Sequence, residues 1–108
     1  MCGIAGLVGS FDNKPLKIDR MLKELVHRGP DERGIFSDNI FSGGMRRLSI
    51  NDLRGGAQPL YNIDKTQVLL YNGEIYNYPF LRKKLEKSGV VFRTRSDGEV
   101  IIHLYNQI

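Results

Sequence analysis

A layered α/β architecture (class α+β) is what the sequence predicts, and two observations carry it. CGIAGLVG at 2–9 and TQVLLYN at 66–72 are apolar at most positions, the pattern of strands buried on both faces. Around them run segments whose apolar residues recur at helical spacing. Strands that need cover on both faces, interleaved with helices, imply sheet packed on sheet or helices on either side. At 108 residues there is room for one ordinary domain only. Such a chain buries somewhat over ~60% of its unfolded surface, enough for a core but not a deep one.

The elements follow in order. The first strand is bounded by Gly9 and Ser10. Pro15 closes the next loop, and Ile18, Met21, Leu22, Leu25 and Val26 then fall on one helical face. Gly29 and Pro30 stop that helix. From Gly34 to Ile50 a strand-like pattern is broken at Asp38-Asn39 and Gly43-Gly44, which predicts a hairpin. NDLRGGAQP at 51–59 is a loop by composition. The second apolar strand covers 66–71. Pro79 suits the first turn of a helix carrying Phe80, Leu81 and Leu85 and closing at Gly89. A strand over 90–94 comes next, and Ser96 with Glu99 forms the S-x-x-E box opening a last helix. That helix shows Val100, Ile101, Leu104 and Ile108 on one face, and no glycine or polar cap ends it. The pattern reads as an interrupted chain.

Composition narrows the function classes. With 41% hydrophobic and 26% charged residues the chain reads as globular and soluble. One cysteine leaves no internal disulfide and makes a cytoplasmic location the expectation. The apolar opening is too short to span a membrane and lacks the basic start and length of a signal peptide. The net charge is +4, but no aromatic-interleaved basic stripe accompanies it, so neither nucleic acid nor membrane is the expected partner.

Four groups of residues could carry chemistry. Cys2 is the only cysteine, and a thiol is a poor nucleophile at neutral pH until something takes its proton. An α-amino group is partly neutral under those conditions, so a cysteine that becomes the first residue after loss of Met1 carries its own base. The alternative is a buried strand cysteine. In YNGEIYNY at 71–78, Asn72 offers a side-chain N–H and Gly73 a backbone N–H to a developing oxyanion; Asn-Gly is also a common turn. RRLSI at 46–50 contains arginines able to clamp a carboxylate in a two-bond fork. RSDGE at 95–99 contains acids able to hold an ammonium, or simply to favour a helix N-terminus. Taken with Cys2, these suit an α-amino acid zwitterion bearing a side-chain carbonyl, and glutamine is such a molecule. In HRGPDERG at 27–34, His27 is read as a cap at the end of its helix, with RGPD as a turn near the first strand.

MCGIAG, HRGPD, RRLSI, GAQPLYN, NGEIYNY and SDGEVII stand in the order and spacing of class II glutamine amidotransferases. The chain most resembles the glutaminase domain of the asparagine synthetase family, and the resemblance runs through its whole length. It implies the N-terminal-nucleophile hydrolase fold, an αββα four-layer sandwich present here only in part, with residues 1–108 a partial type 2 amidotransferase domain. It further implies that Cys2 is the nucleophile and that Asn72 and Gly73 form the oxyanion hole. Arg47 matches the clamp on the glutamine carboxylate, and Glu74 and Asp97 match the groups on its α-ammonium. No metal and no cofactor are implied for this segment. ATP and Mg, and aspartate as ammonia acceptor, belong to a synthetase domain that these residues do not contain; a homodimer is expected of the full-length protein. Two alternatives stay open: a non-catalytic remnant or binding module, and a relative that passes ammonia to a sugar or secondary-metabolite acceptor.

Overall fold

The computed structural model describes residues 2–48 and 57–108; Ser49, Ile50 and the stretch 51–56 of the expected loop lie outside the described residues. Its architecture is mixed α/β, with two small antiparallel sheets and three helices. Strands β1 (Gly3–Val8), β2 (Glu32–Ser37) and β3 (Phe41–Arg47) form the larger sheet in the order β1-β3-β2. Strands β4 (Leu60–Tyr61) and β5 (Val68–Leu69) form the smaller. Helix α1 (Lys14–Glu24) packs on the larger sheet, and α2 (Tyr78–Lys87) packs on α3 (Glu99–Asn106).

Pairing Gly3 with Arg46 and Ala5 with Gly44 puts these residues on the sheet face that meets α1. Ile18 and Leu22 of that helix are fully buried there, with Lys14 one turn earlier donating to the carbonyls of Gly9 at 3.0 Å and Asn39 at 2.8 Å. Arg33 on the same face pairs with Asp19 of α1. Ile4, Gly6, Met45 and Arg47 lie on the opposite face by the two-residue alternation of strands. Phe36 reaches Tyr61 of β4 from this side, ring centroids 6.3 Å apart.

Several sequence expectations need correction. The first strand is not covered on both faces among the described residues: it lies at a sheet edge, α1 shields one side only, and Ile4 is 50% and Val8 70% exposed. Gly43-Gly44 is no turn but the middle of β3. A side chain at 43 would meet Leu70 at 2.6 Å, and one at 44 would meet Leu22 of α1 at 2.6 Å, so both glycines admit neighbours to opposite faces. The hairpin turn is at Asp38, whose carboxylate accepts the N–H groups of Ile40 (2.8 Å) and Phe41 (2.6 Å). Those two bonds hold the Asp38 carboxyl below its usual range.

Helix α1 ends at Glu24, before Gly29, because Leu25 leaves helical geometry (φ −99°, ψ 6°). Met21 and Val26 are exposed in consequence of lying at the stripe edge and past the end. The 66–71 strand shrinks to Val68–Leu69, half-buried and paired with β4 alone. No strand forms over 90–94. Instead the Glu99 carboxylate accepts the backbone N–H of Arg93 at 2.8 Å and of Thr94 at 2.7 Å, satisfying there the donors a ladder would use. The predicted capping box is thereby replaced, for Ser96 Oγ accepts from Gly98 N–H at 3.2 Å rather than from Glu99. Burial of Glu99 opposes its ionisation, but the Thr94 hydroxyl, the two N–H groups and His103 outweigh it and hold its carboxyl below the usual 4.5. On α3, Val100 and Ile102 are buried, while Ile108 lies past its end and is fully exposed; on α2 Leu85 is buried while Phe80 is exposed.

Candidate active site

Cys2 stands one residue ahead of β1 and is half-buried. Its carbonyl oxygen accepts two long-range hydrogen bonds, from Asn72 Nδ2 at 3.0 Å and from Arg28 Nε at 3.2 Å. The first joins residues 70 positions apart in the chain and brings the expected oxyanion donor to the expected nucleophile. Arg28 was not singled out in the sequence, although it stands in HRGPD. His27 beside it is exposed, and since α1 ends at Glu24 it caps no last turn.

The segment after Arg28 runs along the end of β3. Pro30 bridges to Arg47 in parallel, and Asp31 N–H donates to the Arg47 carbonyl at 3.1 Å. Arg46 donates to the carbonyls of Gly29 (2.8 Å) and Pro30 (3.3 Å). Arg47 is buried, and its Nη1 lies 3.0 Å from Glu32 Oε2 across the β2–β3 pair. The two neighbouring arginines therefore do different things. Arg46 stitches main chain on the helix face, whereas Arg47 holds a guanidinium on the face that carries Met45 and Ile4.

Tyr71, Asn72 and Gly73 leave the short strand β5 as a loop, and Asp97 secures its far side. Asp97 Oδ2 accepts the N–H of Ile75 at 2.8 Å and the hydroxyl of Tyr71 at 3.3 Å. The first bond is of normal length, while the second is long for an O–H donor, so Ile75 is the stronger tie. Burial foremost, then the negative charges of Asp97 and Glu74, push the Tyr71 hydroxyl up to about 12. Glu74 itself is exposed. The entrance of the loop is held by Gln58, whose side-chain amide bonds both main-chain groups of Tyr71.

Cys2 with Asn72, and Asp97 with the 71–75 loop, are brought together. Arg47 is on the same sheet as Cys2, paired with Glu32. Glu32, Gln58 and Tyr71 are additions that the sequence did not flag. Among the described residues no group of three or more His, Cys, Asp or Glu could hold a metal ion. No helix among them is long and apolar enough to cross a membrane.

A half-buried cysteine ahead of an edge strand is thus tied through its carbonyl to Asn72 of the Asn-Gly loop. The chain belongs to the glutamine amidotransferase domain family, whose profile matches residues 1–108. It is 44% identical to asparagine synthetase [glutamine-hydrolyzing] 1 of Bacillus subtilis, over 94% of this chain and 17% of that protein. Identity is 46% to asparagine synthetase [glutamine-hydrolyzing] 2 of Arabidopsis thaliana, over 99% of this chain and 19% of the relative. It is also 46% to the asparagine synthetase [glutamine-hydrolyzing] of Sandersonia aurantiaca, over 99% and 21%. The chain spans about a fifth of the length of the curated relatives it matches.

Proposed function

We propose that this chain is the glutamine-hydrolysing part of a glutamine-dependent asparagine synthetase, with Cys2 as nucleophile. The observation that carries the reading is the Asn72–Cys2 contact at 3.0 Å, in a chain so similar to proteins of that name. Once Met1 is removed, the Cys2 α-amino group takes the thiol proton and the sulfur attacks the side-chain amide carbon of glutamine. The oxygen gains negative charge, which the Asn72 side-chain N–H and the Gly73 backbone N–H receive. The ammonium so formed returns its proton to the amide nitrogen, the carbon–nitrogen bond breaks, and ammonia leaves a glutamyl thioester on Cys2. Water then attacks the thioester, releasing glutamate and restoring the thiol.

An amide NH2 group has two donors. With one fixed on the Cys2 carbonyl, the plane of the Asn72 amide is set relative to the residue it serves, and the second N–H is aimed by the first. Arg47 takes the glutamine carboxylate, and Glu74 with Asp97 takes its α-ammonium. The αββα sandwich is the fold proposed for the whole domain, of which residues 1–108 form one part. Its second sheet would cover the face on which Ile4 and Val8 are exposed. L-glutamine is the substrate of this part; aspartate, ATP and Mg serve the synthetase part of the protein, which is proposed to be a cytoplasmic homodimer without nucleic-acid or membrane partners.

In the intact protein, Cys2→Ala should abolish glutamate release from glutamine while asparagine formation from free ammonia, aspartate and ATP persists. Glutamate release unchanged by the substitution overturns the reading. Glutamine hydrolysis without asparagine synthesis by either route keeps the glutaminase and moves the ammonia to another acceptor.

A further inference from the structure

We infer that Gln58 is a positioning residue for this reaction, holding the oxyanion loop in register with the nucleophile strand; the inference rests on the glutaminase reading above. Its side chain makes a reciprocal pair with one residue of the loop. Gln58 Nε2 donates to the Tyr71 carbonyl at 2.8 Å, and Tyr71 N–H donates to Gln58 Oε1 at 2.6 Å. A primary amide matches a peptide unit in having one donor and one acceptor side by side, so the side chain pairs with Tyr71 as a neighbouring strand would. The pairing is needed because the β5 ladder stops at Leu69. Beyond that point, no strand among the described residues pairs with the main chain that must present Asn72 and Gly73.

The other end of Gln58 is anchored on the sheet that carries the nucleophile. A Cβ placed on Gly34 of β2 would overlap the Gln58 carbonyl oxygen and approach Pro59 Cδ to 2.9 Å. The backbone of Gln58 therefore lies directly against β2, which pairs with β3, which pairs with β1 and so reaches Cys2. Gly34, Gln58 and Tyr71 form a continuous set of contacts from that sheet to the Asn72–Gly73 donors. The Ile75–Asp97 bond fixes the far end of the same loop. A donor acts on an oxyanion only when held within about 0.5 Å of its working position, and Gln58 supplies that restraint without touching substrate.

The restraint matters most when charge develops, so its loss should lower kcat and leave the KM for glutamine nearly unchanged. Gln58→Met keeps the volume and removes both bonds. Gln58→Glu keeps the acceptor for Tyr71 N–H but sets a carboxylate against the Tyr71 carbonyl. Glutamate release is measured in the intact protein, with kcat expressed per Cys2 thiol titrated by an electrophilic glutamine analogue, so unfolded molecules are not counted. Removing one oxyanion donor outright costs roughly 100- to 1,000-fold in kcat. Both variants are accordingly expected to lose about 10- to 100-fold in kcat, with KM within about 3-fold. Either variant keeping kcat per titrated site within about 2-fold, or losing it through KM instead, overturns the role. Cys2→Ala is run alongside: if it leaves glutamate release intact, the parent reading fails, whereas its loss with unaffected Gln58 variants refutes only Gln58.

Discussion

Replacing Arg47 with alanine, beside the same change at Arg46, separates the arginine proposed to receive substrate from the one that holds main chain. Arg47 is 7% exposed, and its Nη1 sits 3.0 Å from Glu32 Oε2. Truncating one partner of a buried, hydrogen-bonded charge pair costs about 2–5 kcal/mol. The Glu32 side chain is 38% exposed, so solvent screens the charge left behind and the lower part of that range applies, roughly 2–3 kcal/mol. That cost falls on stability; losing the proposed clamp on the glutamine carboxylate removes a second charged contact, and at about 2–3 kcal/mol that is about 30- to 150-fold in kcat/KM for glutamine, carried mostly by KM. Arg46 is no bland surface arginine, since it donates to two carbonyls at 2.8 and 3.3 Å. Its removal should cost about 1–2 kcal/mol of stability, given one good and one long charged hydrogen bond, while KM stays within about 3-fold. Steady-state glutamate release and urea unfolding on the intact protein read the two quantities separately. Equal KM changes in the two variants, or an Arg47→Ala enzyme with wild-type KM, would refute the placement of the clamp.

Four further outcomes are expected. Asp97→Asn still accepts the Ile75 N–H but loses the charge for the α-ammonium, so KM for glutamine should rise about 10- to 100-fold with little change in urea midpoint. Tyr71→Phe deletes only the long 3.3 Å bond and should leave kcat/KM within about 3-fold. Gly34→Ala drives a methyl into the Gln58 backbone, which should cost about 1–3 kcal/mol by overpacking and lower kcat through the displaced loop; unfolding curves and glutamate release on one preparation check both. Glu99 is held below the usual 4.5 when folded, so its contribution is complete above that pH and is lost as pH falls through the lower folded value. The stability advantage of wild type over Glu99→Gln should therefore be constant near neutrality and shrink below about pH 4.5, as urea midpoints at successive pH values would show.

Local rules were legible wherever one side chain acts on its own turn. Pro79 sits in the first turn of α2 as read from the sequence, and Asp38 makes the hairpin turn; Pro15, read as closing a loop, already lies in the first turn of α1. The Asn72–Cys2 meeting was legible only through the family resemblance, which assigned both residues to one site. What failed was anything settled by the partner a residue finds outside its own turn. Residues 90–94 have strand composition, but Glu99 supplies the acceptors for Arg93 and Thr94 that a partner strand would have given. Gly43-Gly44 carries the letters of a turn, yet its role depends on Leu22 and Leu70 arriving from opposite faces. Gln58 was unreadable for the same reason, since a glutamine that pairs with main chain 13 residues away looks like any loop glutamine.

These long-range ties also decide how the parts of the site depend on one another. Asp97 is proposed to hold the substrate ammonium, yet the same carboxylate anchors Ile75 at 2.8 Å. Asn72 is proposed to receive the oxyanion, yet one of its N–H groups is fixed on the Cys2 carbonyl. Each group meant for substrate therefore also sets the position of another group in the site. A carboxylate has about four lone-pair positions, and two bonds to the loop still leave capacity for an ammonium. Because the loop bonds are made within the chain itself, the cost of ordering Asn72 and Gly73 is met on folding rather than at each turnover, which is what preorganised electrostatic stabilisation requires. The coupling has a structural consequence as well. Displacing Asp97 shifts the Ile75 end of the loop and the proposed ammonium site together, whereas Gln58 acts on the Tyr71 end, beside the oxyanion donors.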